Sequence, residues 1–482
     1  MIHSSSLATV VDYSIRLLLA TCSASSYGQG AVNLLDIHAS ALANNAQLSA
    51  DRHAYGAHRE RVAQAMAGLL PSLNLGAHLQ STRTLGTEVP LAESRQGTLY
   101  RATLNQPLFR LDRWYALEAA RAGNWQSRLA LDAQEQALIL ECTTAYFETL
   151  RAQDTLAATR AEAQAIAGIR NQVSARLRQG AANRLDVLDA QATYDLAAAN
   201  TGLAERKAQD ALAALGKLTG KPVIQLAGLG HDDSPLVPVP KQADAWVSQA
   251  LTDHPALQAD NYAIDAARHE HRQRKAAHAP TLDAVLGYSY GAPQRFGLTG
   301  SQTRGPGQRQ IGEQTFSLEL NIPLFNGGFD ISRTRESAAV LAQREDEWQE
   351  RQRKVVLNVR NLHRAVMTDF EQLNARLYSV RSSLASLDAN TLGQQLGTRN
   401  IADVMDAQKR YYSAVRQYND ARYDLLINHF KLLEAAGALN HENISDVSSR
   451  LLPTYKASQH FAPDKQQIAK LISLSAQRVT VH

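Results

Sequence analysis

The sequence is an internal duplication, and any fold must satisfy both copies at once. GAANRLDVLDAQATY, from Gly180 to Tyr194, aligns with GTRNIADVMDAQKRY, from Gly397 to Tyr411, at an offset of 217, with eight of fifteen positions identical. LSAD ending at Asp51 matches LQAD ending at Asp260, and LPSL at Leu70 to Leu73 matches APTL at Ala279 to Leu282, both at an offset of 209. LNQPLF at Leu104 to Phe109 matches LNIPLF at Leu320 to Phe325 at an offset of 216. The second copy therefore carries 216 − 209 = 7 extra residues between these landmarks. The Gly-, Gln- and Arg-rich stretch Gly297 to Glu313 is where they fit, and it reads as a long loop.

Each copy runs through the same order of elements. A helix of moderate length comes first, Leu48 to Leu69 or Ala256 to His278. A proline follows, then strands of period two. Leu282, Ala284, Leu286, Tyr288 and Tyr290 form one apolar face, and Phe316, Leu318, Leu320 and Ile322 another. The first copy alternates more loosely, through Leu73, Leu75, Ala77 and Leu79, then Tyr100, Ala102 and Leu104. Such alternation fits strands between lipid and a wet lumen, and equally a half-buried soluble sheet. After each PLF the period changes. Arg110 to Gln179 has no proline and two glycines, with a stripe through Leu131, Leu138, Cys142, Ala145, Ala152 and Leu156. That is a helix of roughly 105 Å at 1.5 Å per residue, a length that requires coiled-coil packing. Phe329 to Leu396 repeats it. Both end at a glycine turn, Gly180 or Gly397, followed by a return helix, Leu185 to Leu218 or Ile401 to Ala438.

Bulk properties exclude several classes. A net charge of +4 over 482 residues gives no basis for nucleic-acid binding. Only Cys22 and Cys142 are present, so a disulfide framework is excluded once a leader is removed. No apolar run reaches the length of a membrane-spanning helix. GKLTGK at Gly216 to Lys221 is one residue short of a phosphate loop and is followed by Pro222. His269-Glu270-His271 places its imidazoles two apart, on diverging helix faces. No Gly-x-Ser-x-Gly is present. The expectation is a protein with no enzymatic activity, no cofactor and no bound metal. Four strands cannot close a membrane barrel, since the smallest have eight. The pattern alone points to a hollow oligomer, with its strand end in a membrane and a helical shaft beyond it. A coiled-coil protein without a pore is the competing class.

These pieces in this order resemble the TolC family of outer-membrane channel proteins. The resemblance spans about Asn33 to Leu439. It rests on LLPSLNLGA, LNQPLF, TAYFETLRAQDTL, APTLDAVLGYS, LNIPLFNGG, GTRNIADVMDA and ARYDLLIN. It implies a mainly α fold with transmembrane β: a long α-helical coiled-coil barrel plus a 12-stranded β-barrel, shared by a homotrimer with four strands per chain. It also implies location in the Gram-negative outer membrane, in contact with its lipid and extending into the periplasm. The partners it implies are a periplasmic adaptor and an inner-membrane transporter. GTR-x-x-x-DV-x-DA resembles the branch that holds type I secretion channels. The expected role is therefore the passive exit duct of type I protein secretion, driven by an ABC transporter, with small-molecule efflux as the alternative.

The corresponding domain plan has residues 1–27 as a signal peptide, 28–219 as the first repeat with its hairpin at about 71–107, and 220–245 as a linker or equatorial segment. Residues 246–439 form the second repeat, with its hairpin at about 280–323. Residues 440–482 form a C-terminal tail that reads as polar and irregular. Leu19-Ala20-Thr21-Cys22 is a near miss to a lipoprotein box.

Asp403 and Asp406 are three apart and share one helix face. On a threefold axis they would give a ring that repels anions and attracts cations. The resemblance assigns them to an acidic constriction at the periplasmic entrance. The plainer reading is helix-start chemistry, with Asn400 as N-cap and Asp403 in the first turn, mirrored by Asn183, Asp186 and Asp189 after Gly180. The resemblance further implies that Arg399 clamps the tunnel shut against a first-repeat helix, with Asp186 and the Leu185 backbone as partners. Gln394 stands at a clamp position where the best-known member has tyrosine, and Leu185 replaces a hydroxyl partner. The clamp here is expected to be weaker or differently wired.

Overall fold

Asn33, Asn45, Asn183, Asn400 and Asn440 cap helix starts, and Gly180, Gly220, Gly397 and Gly437 take positive φ just past helix ends. A computed structural model describes residues 31–83, 94–223, 225–231, 242–291 and 311–479. The expected leader, with Cys22, lies outside these residues, as does most of the Gly297–Glu313 stretch. Its last three residues, 311–313, are strand rather than loop.

Each repeat opens with two helices where the sequence suggested one. In the first, α1 (Leu34–Asn44) is capped by an Asn33–Asp36 box, and Asn45 ends it while capping α2 (Ala46–Ala67). After β1 (Ser72–Arg83) and β2 (Ser94–Phe109) come α3 (Leu111–Arg178) and α4 (Arg184–Thr219). A two-residue β3 (Gly228–Leu229) lies between the repeats. The second repeat has α5 (Ala243–Asp253), α6 (Pro255–Lys275), β4 (Thr281–Gly291), β5 (Ile311–Asn321), α7 (Phe329–Gln395) and α8 (Ile401–Ala435). At 68 and 67 residues, α3 and α7 match the expected long helices.

The tail departs from expectation. Its residues form α9 (His441–Ser449), β6 (Leu451–Leu452), α10 (Ala457–His460) and α11 (Lys465–Val479). β6 pairs with β3, and Ile468 and Leu471 are buried in the core that includes α7. The polar composition concealed one narrow apolar face, which is all a peripheral helix needs.

The four long strands form one antiparallel sheet in the order β1-β2-β4-β5. Among the described residues both outer edges, β1 and β5, are unpaired. Leu73, Leu75 and Leu79 are 72–82 % exposed, and Phe316, Leu318 and Leu320 are 59–70 % exposed. Long apolar edge strands left open are an aggregation hazard. Among the described residues no helix is long and apolar enough to cross a membrane.

The helices follow the same order. α4 packs on α3, α3 on α8, and α8 on α7, while α6 packs on α3 and α7 and α5 on α7 further from the glycine turns, so toward those turns α4 and α7 are the edges. The core sits midway along the shaft. Tyr146, Phe147 and Leu150 of α3 meet Tyr423 and Phe430 of α8, all fully buried. Each such side chain contributes roughly 1.5–3 kcal/mol by burial. Toward the glycine turns the α4 face against α3 narrows to Ala190, Ala197 and Ala204.

The candidate gate at the helix turns

The two glycine turns are built alike. α3 ends with Gly180 at φ +73°, its N–H donating to Leu177 O at 2.9 Å, while Ala181 N–H donates to Arg176 O at 2.8 Å. α7 ends with Gly397 at φ +76°, and Thr398 N–H donates to Gly393 O at 2.8 Å. Both are Schellman-type stops, which need a residue free of a Cβ penalty at positive φ.

The return helices start alike too. Asp403 N–H donates to Asn400 Oδ1 at 2.7 Å, and Asn400 N–H donates to Asp403 Oδ2 at 3.3 Å. At the first turn Asn183 N–H donates to Asp186 Oδ2 at 3.3 Å, and Leu185 N–H donates to Asn183 Oδ1 at 3.3 Å. Asn183 with Asp186, and Asn400 with Asp403, form reciprocal caps that satisfy otherwise orphaned donors. Asp189 and Asp406, one turn further in, are exposed.

The expected clamp residues are distributed differently within one chain. Arg399, in the turn before α8, is 60 % exposed and approaches Asp403 of that helix at 3.9 Å. Gln394 turns to Arg176. With its amide oriented to satisfy both groups, Oε1 accepts from Arg176 Nη1 at 2.7 Å and Nη2 at 3.2 Å. Arg176 was not foreseen, although the repeat carries a signal for it. At the 217 offset Arg176 stands opposite Gly393, and Ala182 opposite Arg399. Each turn thus has one arginine and one small residue, with their places exchanged. The exchange has a steric cause. A Cβ on Gly393 would lie 2.7 Å from Arg399 Cγ and 3.2 Å from Thr398 Oγ1. Arg399 can fold back on α7 only because position 393 is bare.

A second cluster, about 39 Å along the helix from Gly180 at 1.5 Å per residue, was missed altogether. Asp154 of α3 has no exposed surface. Tyr423 donates to its Oδ2 at 2.6 Å, and Tyr455 of the tail donates to Oδ1. Burial pushes the carboxyl up to about 6 against the pull of both hydroxyls. Arg422 lies beside it, donating to Gly230 O at 2.5 Å and Leu229 O at 3.2 Å. His231, stacked on Tyr418, is held well below its usual value by burial and by Arg422. The partners come from both repeats, the segment between them and the tail.

Among the described residues no group of His, Cys, Asp and Glu is arranged to hold a metal ion. What the turns offer is mechanical: paired caps, exposed carboxylates and two guanidinium contacts at one end of a long shaft.

The outer membrane efflux protein family matches the chain over residues 38–221 and 246–438. The outer membrane protein TolC of Vibrio cholerae is 29 % identical over 423 residues, covering 87 % of this chain and 94 % of that one. The alkaline protease secretion protein AprF of Pseudomonas aeruginosa is 28 % identical over 437 residues, 88 % of each chain. A crystal structure of CusC shares the fold, with a TM-score of 0.74 at 18 % identity over 84 % of this chain and 92 % of that one.

Proposed function

The chain belongs to the outer membrane efflux protein family, a family of outer-membrane channels for efflux and secretion, and from that premise we propose that it is a trimeric channel-tunnel serving as the passive exit duct of type I protein secretion. The observation that carries this is the shared order of two open layers. The sheet runs β1-β2-β4-β5 and the helices α4-α3-α8-α7, so the sheet, and the helices toward the glycine turns where α5 and α6 no longer pack on α7, both leave a first-repeat edge and a second-repeat edge. A head-to-tail contact covers both at once, and such contacts generate a closed ring when the rotation between copies closes. Three copies give 3 × 4 = 12 strands, above the minimum for a membrane barrel.

In this ring the strands line a wet lumen through the outer membrane, and the helices carry it on through the periplasm. Residues 28–219 and 246–439 act as the two structural repeats, and 220–245 as an equatorial segment. Asp403 and Asp406 of three copies form the acidic constriction. Arg399 and Gln394 end the edge pair α7–α8, and Asp186 starts the edge helix α4 of the next copy, so the Arg399–Asp186 clamp acts between copies. A periplasmic adaptor and an inner-membrane ABC transporter supply attachment and energy.

Type I secretion is favoured over efflux by Arg399 and Asp403 standing together, and by relatives named for protease secretion in Pseudomonas aeruginosa and Dickeya chrysanthemi. The efflux reading has the relative named outer membrane efflux protein BepC in Brucella suis behind it. The purified protein in planar lipid bilayers should form channels of low conductance and migrate in detergent as a heat-dissociable trimer. Arg399→Ser with Asp186→Ala should raise that conductance. A monomer without channel activity overturns the duct. Loss of an extracellular protein on gene deletion, with drug tolerance intact, separates secretion from efflux.

A further inference from the structure

We propose that α7 of one copy packs on α4 of the next in a fixed register, locked by an ion pair between Glu371 and Arg206 of a second copy. The inference rests on the ring described above and supplies its seam.

The template is the joint between α3 and α8 within one chain. Heights along the shaft are counted in residues from the glycine turns. Tyr423 bonds Asp154 at 423 − 397 = 26 and 180 − 154 = 26. Arg416 bonds Glu162 at 2.5 Å, at heights 416 − 397 = 19 and 180 − 162 = 18. Arg151 bonds Asp424 at 2.5 Å, at heights 180 − 151 = 29 and 424 − 397 = 27. Residues at nearly equal height meet. By the duplication, α7 stands for α3 and α4 for α8, so the seam between copies repeats this joint.

Two unpartnered stripes then face each other. On α7, Tyr378 and Leu392 are 44 and 57 % exposed, and Glu371 and Ala385 complete a seven-residue spacing that continues through Arg364 to Leu357. On α4, Leu185, Leu188, Leu196 and Leu203 are 56–59 % exposed, on the face opposite the alanines buried against α3. Tail helix α11 lies beside the α7 stripe, at Leu384 and Asp388, and shares a cavity with Ala385, which stays exposed.

Their heights match. Leu392 and Leu185 are both at 5, from 397 − 392 and 185 − 180. Ala385 and Ala192 are both at 12, from 397 − 385 and 192 − 180. Tyr378 and Ala199 are both at 19, so the ring enters the notch that Leu196 and Leu203 flank. Glu371 and Arg206 are both at 26, the height of Asp154 and Tyr423. A leucine thus meets a leucine, an alanine an alanine and a tyrosine an alanine, and the one acid meets a base. Glu371 and Arg206 are both exposed in the single chain. Where the inner joint uses a tyrosine and a buried carboxylate, the seam uses opposite full charges, which select the neighbouring copy.

Two tests separate this register from the ring itself. Ala192→Cys combined with Ala385→Cys should give a covalent trimer with a short bis-maleimide, and neither single variant should. Ala192→Cys with Glu371→Cys, 26 − 12 = 14 residues or about 21 Å out of register, should not. Glu371→Arg and Arg206→Glu should each lower the trimer fraction in dissociating detergent roughly tenfold, since three attractive contacts become repulsive. The double reversal should restore it. A native trimer that fails to cross-link, or a double reversal no better than either single one, overturns the seam and leaves the duct standing. Absence of any trimer in the unaltered protein overturns both.

Discussion

Gly393→Ala separates the stability of the second turn from its function. Alanine in a helix is favoured over glycine by about 1 kcal/mol. Here the new Cβ would stand 2.7 Å from Arg399 Cγ, so the arginine stem must swing away by roughly 1 Å to reach ordinary carbon–carbon contact. A displaced rotamer costs about 0.5–1.5 kcal/mol, which offsets the helix gain. Gly393 O still accepts from Thr398 and Arg399, so the turn itself persists. The net change in stability is within about 1 kcal/mol, a shift of at most about 4 °C in melting temperature. Single-channel recording in bilayers, paired with a melt in detergent, reads both quantities. The expected result is an unchanged melt with conductance raised toward that of Arg399→Ser. If Arg399→Ser raises conductance and Gly393→Ala does not, the bare position does not set the arginine. If Gly393→Ala lowers the melt by more than about 10 °C, the balance of helix gain and displaced side chain is wrong.

Other substitutions test the remaining contacts. Arg176→Ala and Gln394→Ala should raise conductance equally and not add, since each removes the same bond, and Gln394→Glu should keep the closed level by strengthening it. Asp403→Asn with Asp406→Asn should reduce the preference for cations over anions, most at low salt, read as a reversal potential across a salt gradient. Asp154 has its folded value raised to about 6, above the unfolded one, so the folded chain holds the extra proton and gains stability as pH falls from 7 through 6 toward 4. That contribution is up to roughly 3 kcal/mol. His231, held low, works in the opposite sense: below about 6.5 it is charged only in the unfolded chain and stability is lost. The melting temperature of the parent minus that of Asp154→Asn isolates the carboxyl and should rise as pH falls from 7 to 4. A difference independent of pH would remove Asp154 from the linkage.

Periodicity made the long elements legible, because it is a local property. Leu282 to Tyr290 alternates every second residue, and Arg110 to Gln179 holds no proline for a coiled coil to avoid. The turns were legible because Gly397, Asn400 and Asp403 form a self-contained motif. Contacts across the fold were another matter. Asp154 meets Tyr423 and Tyr455 over separations of 269 and 301 residues, and nothing local marks it. TAYFETLRAQDTL and ARYDLLIN had pointed to a family without saying that Asp154 and Tyr423 bond each other. Arg176 escaped notice because the eye follows identity in a repeat, and this contact is kept by an exchange between positions 176 and 182 in one copy and 393 and 399 in the other. α11 escaped because Ile468 and Leu471 are too few to colour a polar segment.

The placement of large and small side chains determines where such a shaft can move. Tyr146, Phe147, Tyr423 and Phe430 are fully buried at the level where Asp154 ties both repeats to the tail. Separating α3 from α8 there exposes several aromatic surfaces, and truncating one such ring to alanine costs about 3–5 kcal/mol. Near the turns, α4 meets α3 through Ala190 and Ala197, and a buried methyl contributes only about 0.8 kcal/mol. The polar links added at that end are exposed or half-buried and individually weak. Opening is therefore inexpensive at the turns and resisted midway, so the helix ends should swing about a fixed belt rather than the shaft dilating as a whole. Amide hydrogen exchange reads this directly. Protection should fall from residues 146–154 toward 170–178 in α3, and from 423–430 toward 404–412 in α8, with Phe430→Ala erasing the contrast by weakening the belt. Uniform protection along both helices would mean that packing does not grade the motion, and that the turns are held by contacts between copies alone.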